Sequence, residues 1–229
     1  MSGLFVTGTD TGIGKTWTAL GLMHAYKNRG MRVAGMKPVA SGARYRNKEL
    51  VNDDALVLQQ ACDGNPPYAV INPYVFQPPV APHIAARQVG VEIRLERLHD
   101  AYMKLSGQYD QVIVEGAGGW RVPLGEDLTM ADLVKTFGIQ VVVVVGLRLG
   151  CINHALLTVE AVRNDGLIVA GWVASHIDPE YSEPEQNVAT LVRKIDAPLL
   201  GRLPNCTEFD AETMAESLDI GRIGSGTLA

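Results

Sequence analysis

The stretch Gly8-Thr-Asp-Thr-Gly-Ile-Gly-Lys-Thr16 decides the fold. A short apolar run, Gly3 to Thr7, precedes it and reads as a strand. The run that follows, Lys15 to Asn28, reads as a helix, and Gly30 ends it as a C-terminal capping glycine would. A glycine turn leading from strand into helix gathers backbone N–H groups around an anion, at the positive end of the helix dipole. In that setting Lys15 reaches the β- and γ-phosphates of a nucleotide from an exposed loop, and Thr16 offers a hydroxyl to Mg²⁺. The motif departs from the common pattern in one place. The usual Gly or Ala four residues before the Gly-Lys pair is Thr9 here, with Gly8 one step earlier. A bare strand-to-helix turn is the alternative, and the combination of strand, three glycines and helix favours the phosphate loop.

Working outward, short apolar runs alternate with amphipathic ones. Strands are expected at Arg32 to Lys37, Gln111 to Val114, Gln140 to Val145, Leu167 to Ala174 and Leu199 to Leu203. Helices are expected from Asn52–Asp54 through Cys62, and at Ile93 to Leu105, Thr129 to Phe137, Asn153 to Asn164 and Glu185 to Lys194. The run Gln140 to Val145 is apolar along almost its whole length, as a strand covered on both faces must be. This alternation predicts an α/β fold: a single P-loop NTPase domain over residues 1–229, with a mostly parallel β-sheet flanked by helices on both faces. Asn65 to Pro82 is expected to be one long ordered loop. The tail after Glu208 is weakly patterned, and disorder is expected for residues 224–229.

The bulk properties exclude other classes. A formal net charge of -5 over 229 residues gives no footing for nucleic acid, which needs clustered Lys and Arg. Cys62, Cys151 and Cys206 are widely spaced and form no CxxC pair, so free thiols in a reducing cytoplasm are expected. The N-terminus lacks the basic and apolar regions of a signal peptide, and no apolar run approaches the ~20 residues of a membrane span.

Phosphate chemistry needs a divalent cation and carboxylates to hold it. Glu115 ends the apolar run Val112-Ile-Val and is followed by Gly-Ala-Gly-Gly119. It is either a metal ligand or a salt-bridged or capping glutamate. Asp54, beside Asp53, is either a second ligand or a helix N-cap. Lys37 ends the second strand inside Met36-Lys-Pro-Val-Ala-Ser-Gly42. It is either a solvated lysine or one that neutralises charge in phosphoryl transfer. Pro38 and Gly42 shape the turn and leave Ser41 exposed in it.

Taken together, GTDTGIGKT, KPVASG, NPYVFQPPVAPH, VEGAGGW, LGCINHALLT and AGWV resemble the dethiobiotin synthetases in order and approximate spacing. The resemblance runs from about Phe5 to about Pro204. It implies condensation of 7,8-diaminopelargonic acid, CO₂ (or bicarbonate) and ATP to dethiobiotin, ADP and phosphate, through a carbamate and a carbamic-phosphoric anhydride. It implies catalytic roles for Lys37, Lys15 and Thr11, and Mg²⁺ on Thr16, Asp54 and Glu115. Nucleotide contacts are implied for Gly12, Ile13, Gly14, Lys15, Thr16, Trp17, Asp54, Glu115, Gly116, Ala117, Gly118, Ser175, His176, Pro204 and Asn205. Substrate contacts are implied for Thr11, Lys37, Ser41, Gly150, Cys151, Ile152 and Asn153. The resemblance further implies a homodimer in which the substrate tail crosses the interface, reaching the helix N-terminus at Gly150 to Asn153. Ser175 stands where members often carry Asn, so base selectivity is expected to be relaxed. Arg148 replaces a more usual Lys, and Asn187 stands where an aromatic is sometimes found. His83 and His154 are read as structural.

Two other readings compete. A cobyrinate-type amide synthase carries a fused glutaminase, for which 229 residues leave no room. A nucleotide switch of the partition or division-site type carries an extra lysine early in the phosphate loop, where this chain has Asp10, and often a basic C-terminal membrane helix.

Overall fold

The computed structural model describes residues 3–224. The chain order is β1 (Gly3–Gly8), α1 (Lys15–Lys27), β2 (Val33–Met36), β3 (Val39–Ala40), β4 (Arg44–Arg46), β5 (Glu49–Val51), α2 (Asp53–Gln60), α3 (Tyr68–Ile71), β6 (Tyr74–Val75), α4 (Pro82–Gln88), α5 (Leu95–Ser106), β7 (Gln111–Glu115), α6 (Met130–Phe137), β8 (Gln140–Gly146), α7 (Cys151–Asn164), β9 (Val169–Ser175), α8 (Pro184–Lys194), β10 (Leu199–Leu203) and α9 (Ala211–Glu216). A 3-10 turn, Ile220–Arg222, follows.

Six strands form one sheet in the order β10-β9-β8-β1-β7-β2, and every pairing is parallel. Val141 to Val145 of β8 are all fully buried. Successive side chains of a strand point to opposite faces, so both faces of the sheet are covered. The mostly parallel sheet flanked by helices is the architecture expected from the sequence. After β1 the chain crosses to the edge strand β2 and later returns to β7, which fills the gap between them; it then builds outward on the other side through β8, β9 and β10. The carboxyl ends of β1, β7 and β8 therefore meet at the point where the strand order reverses. Parallel sheets bind ligands at such a point.

Local signals place the elements. Asn52 caps α2, its side chain accepting from the Ala55 N–H at 3.2 Å. Thr129 and Asp132 form a reciprocal capping box at the start of α6. The ends of the expected elements fall within about two residues of those observed.

Three regions differ from expectation. Asn65 to Pro82 is not one loop: it holds α3 and β6, and β6 pairs in parallel with β3. Elements of four and two residues are too short to show a period. Arg44–Arg46 and Glu49–Val51 form an antiparallel hairpin turning at Asn47 and Lys48, both with positive φ. That turn lacks the glycine that marks most such hairpins. In the tail, Asp210 caps the short helix α9, accepting from the Thr213 N–H at 2.7 Å. A Cβ on Gly21 of α1 would lie 3.1 Å from Met214 Cβ and 3.0 Å from Leu218. Gly21 thus lets α9 and the residues after it close over α1, a long-range fit that a weak local pattern hides. Of residues 224–229, where disorder is expected, Gly224 is described and exposed outside any element, and 225–229 lie outside the described residues.

Candidate active site

The ends of β1, β2 and β7, with the start of α2, surround one cleft of about 1320 Å³. It is lined by Thr11, Gly12, Ile13, Gly14, Lys15, Thr16 and Trp17 from the phosphate loop and α1. Lys37, Ser41, Asp54, Glu115, Ala117 and Gly118 line its middle, and Ser175, His176, Pro204 and Asn205 one end. The residues singled out from the sequence therefore converge, with five exceptions. Gly116 is not on the wall, because a Cβ there would lie 2.7 Å from the Phe5 ring. It reaches the site through its carbonyl, which accepts from Lys37 at 3.3 Å. Gly150, Cys151, Ile152 and Asn153 lie outside the cleft of their own chain.

The loop is built on two left-handed glycines, Gly12 at φ 72° and Gly14 at φ 91°. A side chain at Gly14 would be strained in backbone and would also meet Ser175 Oγ, 2.6 Å from its Cβ. Lys15 is not exposed but only 6% accessible, and its Nζ donates to the Asp10 carbonyl at 2.7 Å. Burial, and then the Lys37 charge, push its ammonium down to about 8. The Asp10 carboxylate accepts from the Thr11 N–H at 2.7 Å and pairs with Arg148 at the end of β8. The Thr11 N–H bond, then Arg148, hold its carboxyl below the usual range.

Under the loop lies a buried ionic cluster. Lys37 Nζ is 2.5 Å from Glu115 Oε1 and 3.0 Å from Asp54 Oδ2. Thr16 Oγ1 donates to the same Glu115 oxygen at 2.9 Å. Lys37 and Glu115 are 4% and 1% accessible, so the pair is fully desolvated. Burial works against the Lys37 ammonium, but Glu115 and Asp54 more than offset it and its pKa is raised. Burial raises the Glu115 carboxyl despite Lys37. Asp54 resists its burial through Lys37 and stays below the ordinary value. The second Glu115 oxygen, Oε2, is buried with no hydrogen-bond partner among the described residues.

Two carboxylates and a hydroxyl are the hard oxygen donors that Mg²⁺ takes from a protein, with water and phosphate completing its shell. The orphaned Oε2 is the sort of acceptor a cation would satisfy. Among the described residues there is no group of three or more His, Cys, Asp and Glu that could hold a metal. The fit is thus to a cation shared with phosphates, not to a closed protein cage.

At the Ser175 end the hydroxyl packs beneath Gly14, while the Asn205 amide donates to the His176 carbonyl at 3.0 Å. Trp17 and Phe209 meet edge to face with ring centroids 6.1 Å apart, and both line the cleft. Phe209 was not foreseen, because it lies in the weakly patterned tail. At the other end Pro79 to Pro82 and Val122 form an apolar wall that the sequence reading also missed. The spacing of prolines in NPYVFQPPVAPH was the signal that could have found it. Ser41 is half-buried in its turn.

The helix start at Gly150 has φ 92°, and the Cys151 N–H is already spent on the Arg148 carbonyl at 3.1 Å. Leu149 beside it is 89% exposed. Asn187 bonds the Tyr181 hydroxyl, so an aromatic does stand beside that position, supplied from six residues earlier. All three cysteines are free, with Cys62 and Cys151 buried. Among the described residues no helix is long and apolar enough to cross a membrane.

A phosphate loop between a central parallel strand and a buried helix, with an acid closing the neighbouring strand, defines a P-loop NTPase. The solved structures agree on fold. A MinC:MinD cell division complex from Aquifex aeolicus aligns at TM-score 0.57 and 16% identity, covering 96% of this chain and 88% of that one. A ParA family ATPase from Chlorobium tepidum aligns at TM-score 0.55 and 13% identity, covering 98% and 94%. The model of a family described as "AAA domain" matches residues 2–213.

Sequence relatives are far closer. The ATP-dependent dethiobiotin synthetase of Pseudomonas paraeruginosa is 49% identical over 227 residues, 99% of this chain and 100% of the relative. That of Aromatoleum aromaticum is 50% identical over 214 residues, 93% and 95%. That of Xanthomonas axonopodis pv. citri is 48% identical over 218 residues, 95% and 97%. The chain belongs to the ATP-dependent dethiobiotin synthetases.

Proposed function

We propose that this chain, acting as one α/β domain, closes the ureido ring of dethiobiotin on 7,8-diaminopelargonic acid, using CO₂ and ATP. One amine of the diamine takes up CO₂ as a carbamate. A carbamate oxygen attacks the γ-phosphorus, ADP leaves, and a carbamic-phosphoric anhydride forms. The second amine attacks the carbonyl carbon, the carbon–oxygen bond to phosphate breaks, and a proton leaves with ring closure. The nucleophiles belong to the substrate, so the protein's task is positioning and charge stabilisation.

The observation that carries this reading is the single cleft that joins the phosphate loop to Lys37 and Ser41 at the end of β2. Lys15 neutralises the β- and γ-phosphates. Lys37 meets the charge that builds on the carbamate and the transferring phosphoryl group. Thr11 and Ser41 orient the diamine or carbamate by hydrogen bonds. Thr16, Asp54 and Glu115 hold Mg²⁺, which when bound offsets the negative charge of the triphosphate. Gly12 to Gly14 wrap the phosphates with backbone N–H groups, and Trp17, Ser175, His176, Pro204 and Asn205 receive ribose and base. Glu115 to Gly118 close the floor.

The chain works as a cytoplasmic homodimer without membrane or nucleic-acid partners. Gly150 to Asn153 lie outside their own cleft, with exposed Leu149 beside them. That placement favours their serving the substrate carboxylate of the other protomer. The test is ADP release with 7,8-diaminopelargonic acid and bicarbonate, with the product identified by mass. ATP turnover that ignores the diamine, or a product lacking the ureido mass, would sink the reading. The partition-type switch predicts turnover that follows lipid or a protein partner instead.

A further inference from the structure

The carboxylates read as metal ligands already hold a cation, and it is the chain's own. Lys37 Nζ sits between Glu115 Oε1 at 2.5 Å and Asp54 Oδ2 at 3.0 Å, and Thr16 Oγ1 points at the same Glu115 oxygen. Glu115 Oε2 has no hydrogen-bond partner among the described residues, but a divalent ion on it or on Asp54 would lie within a few ångströms of the ammonium, and like charges that close repel strongly where water is scarce. The assignments of Lys37 to the reacting groups and of Glu115 and Asp54 to the metal therefore compete in this arrangement.

We propose that metal and lysine exchange places: entry of the divalent cation expels the Lys37 ammonium from Glu115 and Asp54 and delivers it into the cleft. This rests on the metal-ligand reading above and adds to it how the site is armed. Without metal, Lys37 is a placeholder. Two carboxylates, one of them fully buried, would otherwise repel each other and lack a counter-charge. Lysine suits the task because its charge is a point on a flexible four-carbon stem, with no fixed planar geometry to break. Its side chain already borders the cleft that Ser41 and Lys15 share, so release carries the ammonium no further than that cleft. The Gly116 carbonyl at 3.3 Å holds the third ammonium proton weakly. Charge at the reacting oxygens thus arrives only once the metal is bound, and a metal-free nucleotide meets a site whose second lysine is withheld.

The test reads metal binding and lysine position in the nucleotide-free full chain. Mn²⁺ affinity is measured by electron paramagnetic resonance for the wild type and for Lys37→Met. Loss of the competing ammonium should tighten Mn²⁺ binding about tenfold or more, given the coupling energies of close charges. In the wild type, acylation of Lys37 by acetic anhydride is followed by peptide mass spectrometry, with Lys48 as internal reference. Filling the site with Mg²⁺ should raise Lys37 labelling several-fold against Lys48. Lys37→Met binding Mn²⁺ no tighter than the wild type overturns the exchange. So does Lys37 labelling that stays constant when the Mn²⁺ titration shows the wild-type site filled. If Lys37→Met does not fold, Lys37→Gln takes its place, and the wild-type labelling decides without either. Dethiobiotin formation assayed alongside separates the two readings. Product without metal tightening removes only the exchange, whereas absence of product removes the synthetase mechanism.

Discussion

Replacing Lys15 by methionine should make the protein more stable and inactive at once. Lys15 is 6% accessible, and burial followed by the Lys37 charge takes its ammonium from 10.5 to about 8. That drop is worth about 3 kcal/mol against the charged form. The bond from Nζ to the Asp10 carbonyl at 2.7 Å returns about 1 kcal/mol. Methionine is close in length and carries no charge, so the net gain near neutral pH is about 2 kcal/mol, or about 4–8 °C in Tm for a chain of this size. The pH dependence fixes the sign. The folded chain releases this proton near pH 8, while the unfolded chain keeps it to about 10.5. Between those values the unfolded state binds more protons, so wild-type stability rises with pH. The stability gap between Lys15→Met and wild type should therefore be full below pH 8 and close towards 10.5. Urea unfolding at neutral and at alkaline pH measures the gap. Calorimetric titration with ATP should show affinity falling about tenfold to a hundredfold, as loss of a charge-assisted contact does. A Lys15→Met protein less stable than wild type at neutral pH, with a gap that ignores pH, would refute the reasoning.

Glu115→Gln keeps shape and removes the charge that a hard cation prefers, so the Mg²⁺ needed for half-maximal turnover should rise about tenfold; an unchanged Mg²⁺ titration would mark Glu115 as structural. At the base end, ATP, GTP and CTP should be discriminated shallowly by the wild type. Asn205→Ala should flatten the ratio further, by about fivefold for a lost hydrogen bond; strict ATP selectivity unaffected by Asn205→Ala would show that backbone groups read the base. For the shared site, Lys37→Ala and Gly150→Trp should each be inactive alone and should regain activity on subunit exchange. Mixed dimers shown by tagged subunits but no more active than the parents would place the tail site within one chain.

Legibility followed the range of the physics. The strands of the central sheet were readable because burial on both faces demands unbroken apolar runs, as in Val141 to Val145. The phosphate loop was readable because glycines, lysine and threonine act within nine consecutive residues. What sequence could not decide was which polar residues would face one another. Glu115 had a metal and a salt-bridge reading, and the structure gives it Lys37 from 78 residues away, a pairing only the fold creates. Asp54 likewise is more than part of the first turn of α2, since it reaches the same ammonium. Lys15 was expected in an exposed loop, but the closure of the Asp10 carbonyl over it is a tertiary event. Phe209 and the Pro79–Pro82 wall were missed because an apolar residue outside a periodic run gives no sign of the cleft it faces.

The solved structures with the same fold include a division-site complex and a partition-family ATPase, yet the sequence goes with the synthetases, and the phosphate loop shows why the two are compatible. The fold supplies only a strand, a turn and a helix dipole, which any nucleotide enzyme can use. What this sequence adds is the charge placed beside the turn. Here position 10 is an aspartate whose carboxylate is bound to the Thr11 N–H and to Arg148, and whose carbonyl holds Lys15. The loop is thereby tied to the end of β8, from which the chain runs on to Gly150 and α7. A lysine at position 10 would break that tie and set a third positive charge against Lys15 and Arg148. The same backbone therefore favours a loop braced within its own chain, next to the segment proposed to take the substrate tail. The reaction proposed above, which holds a carbamate and a γ-phosphate in register, gains from that bracing.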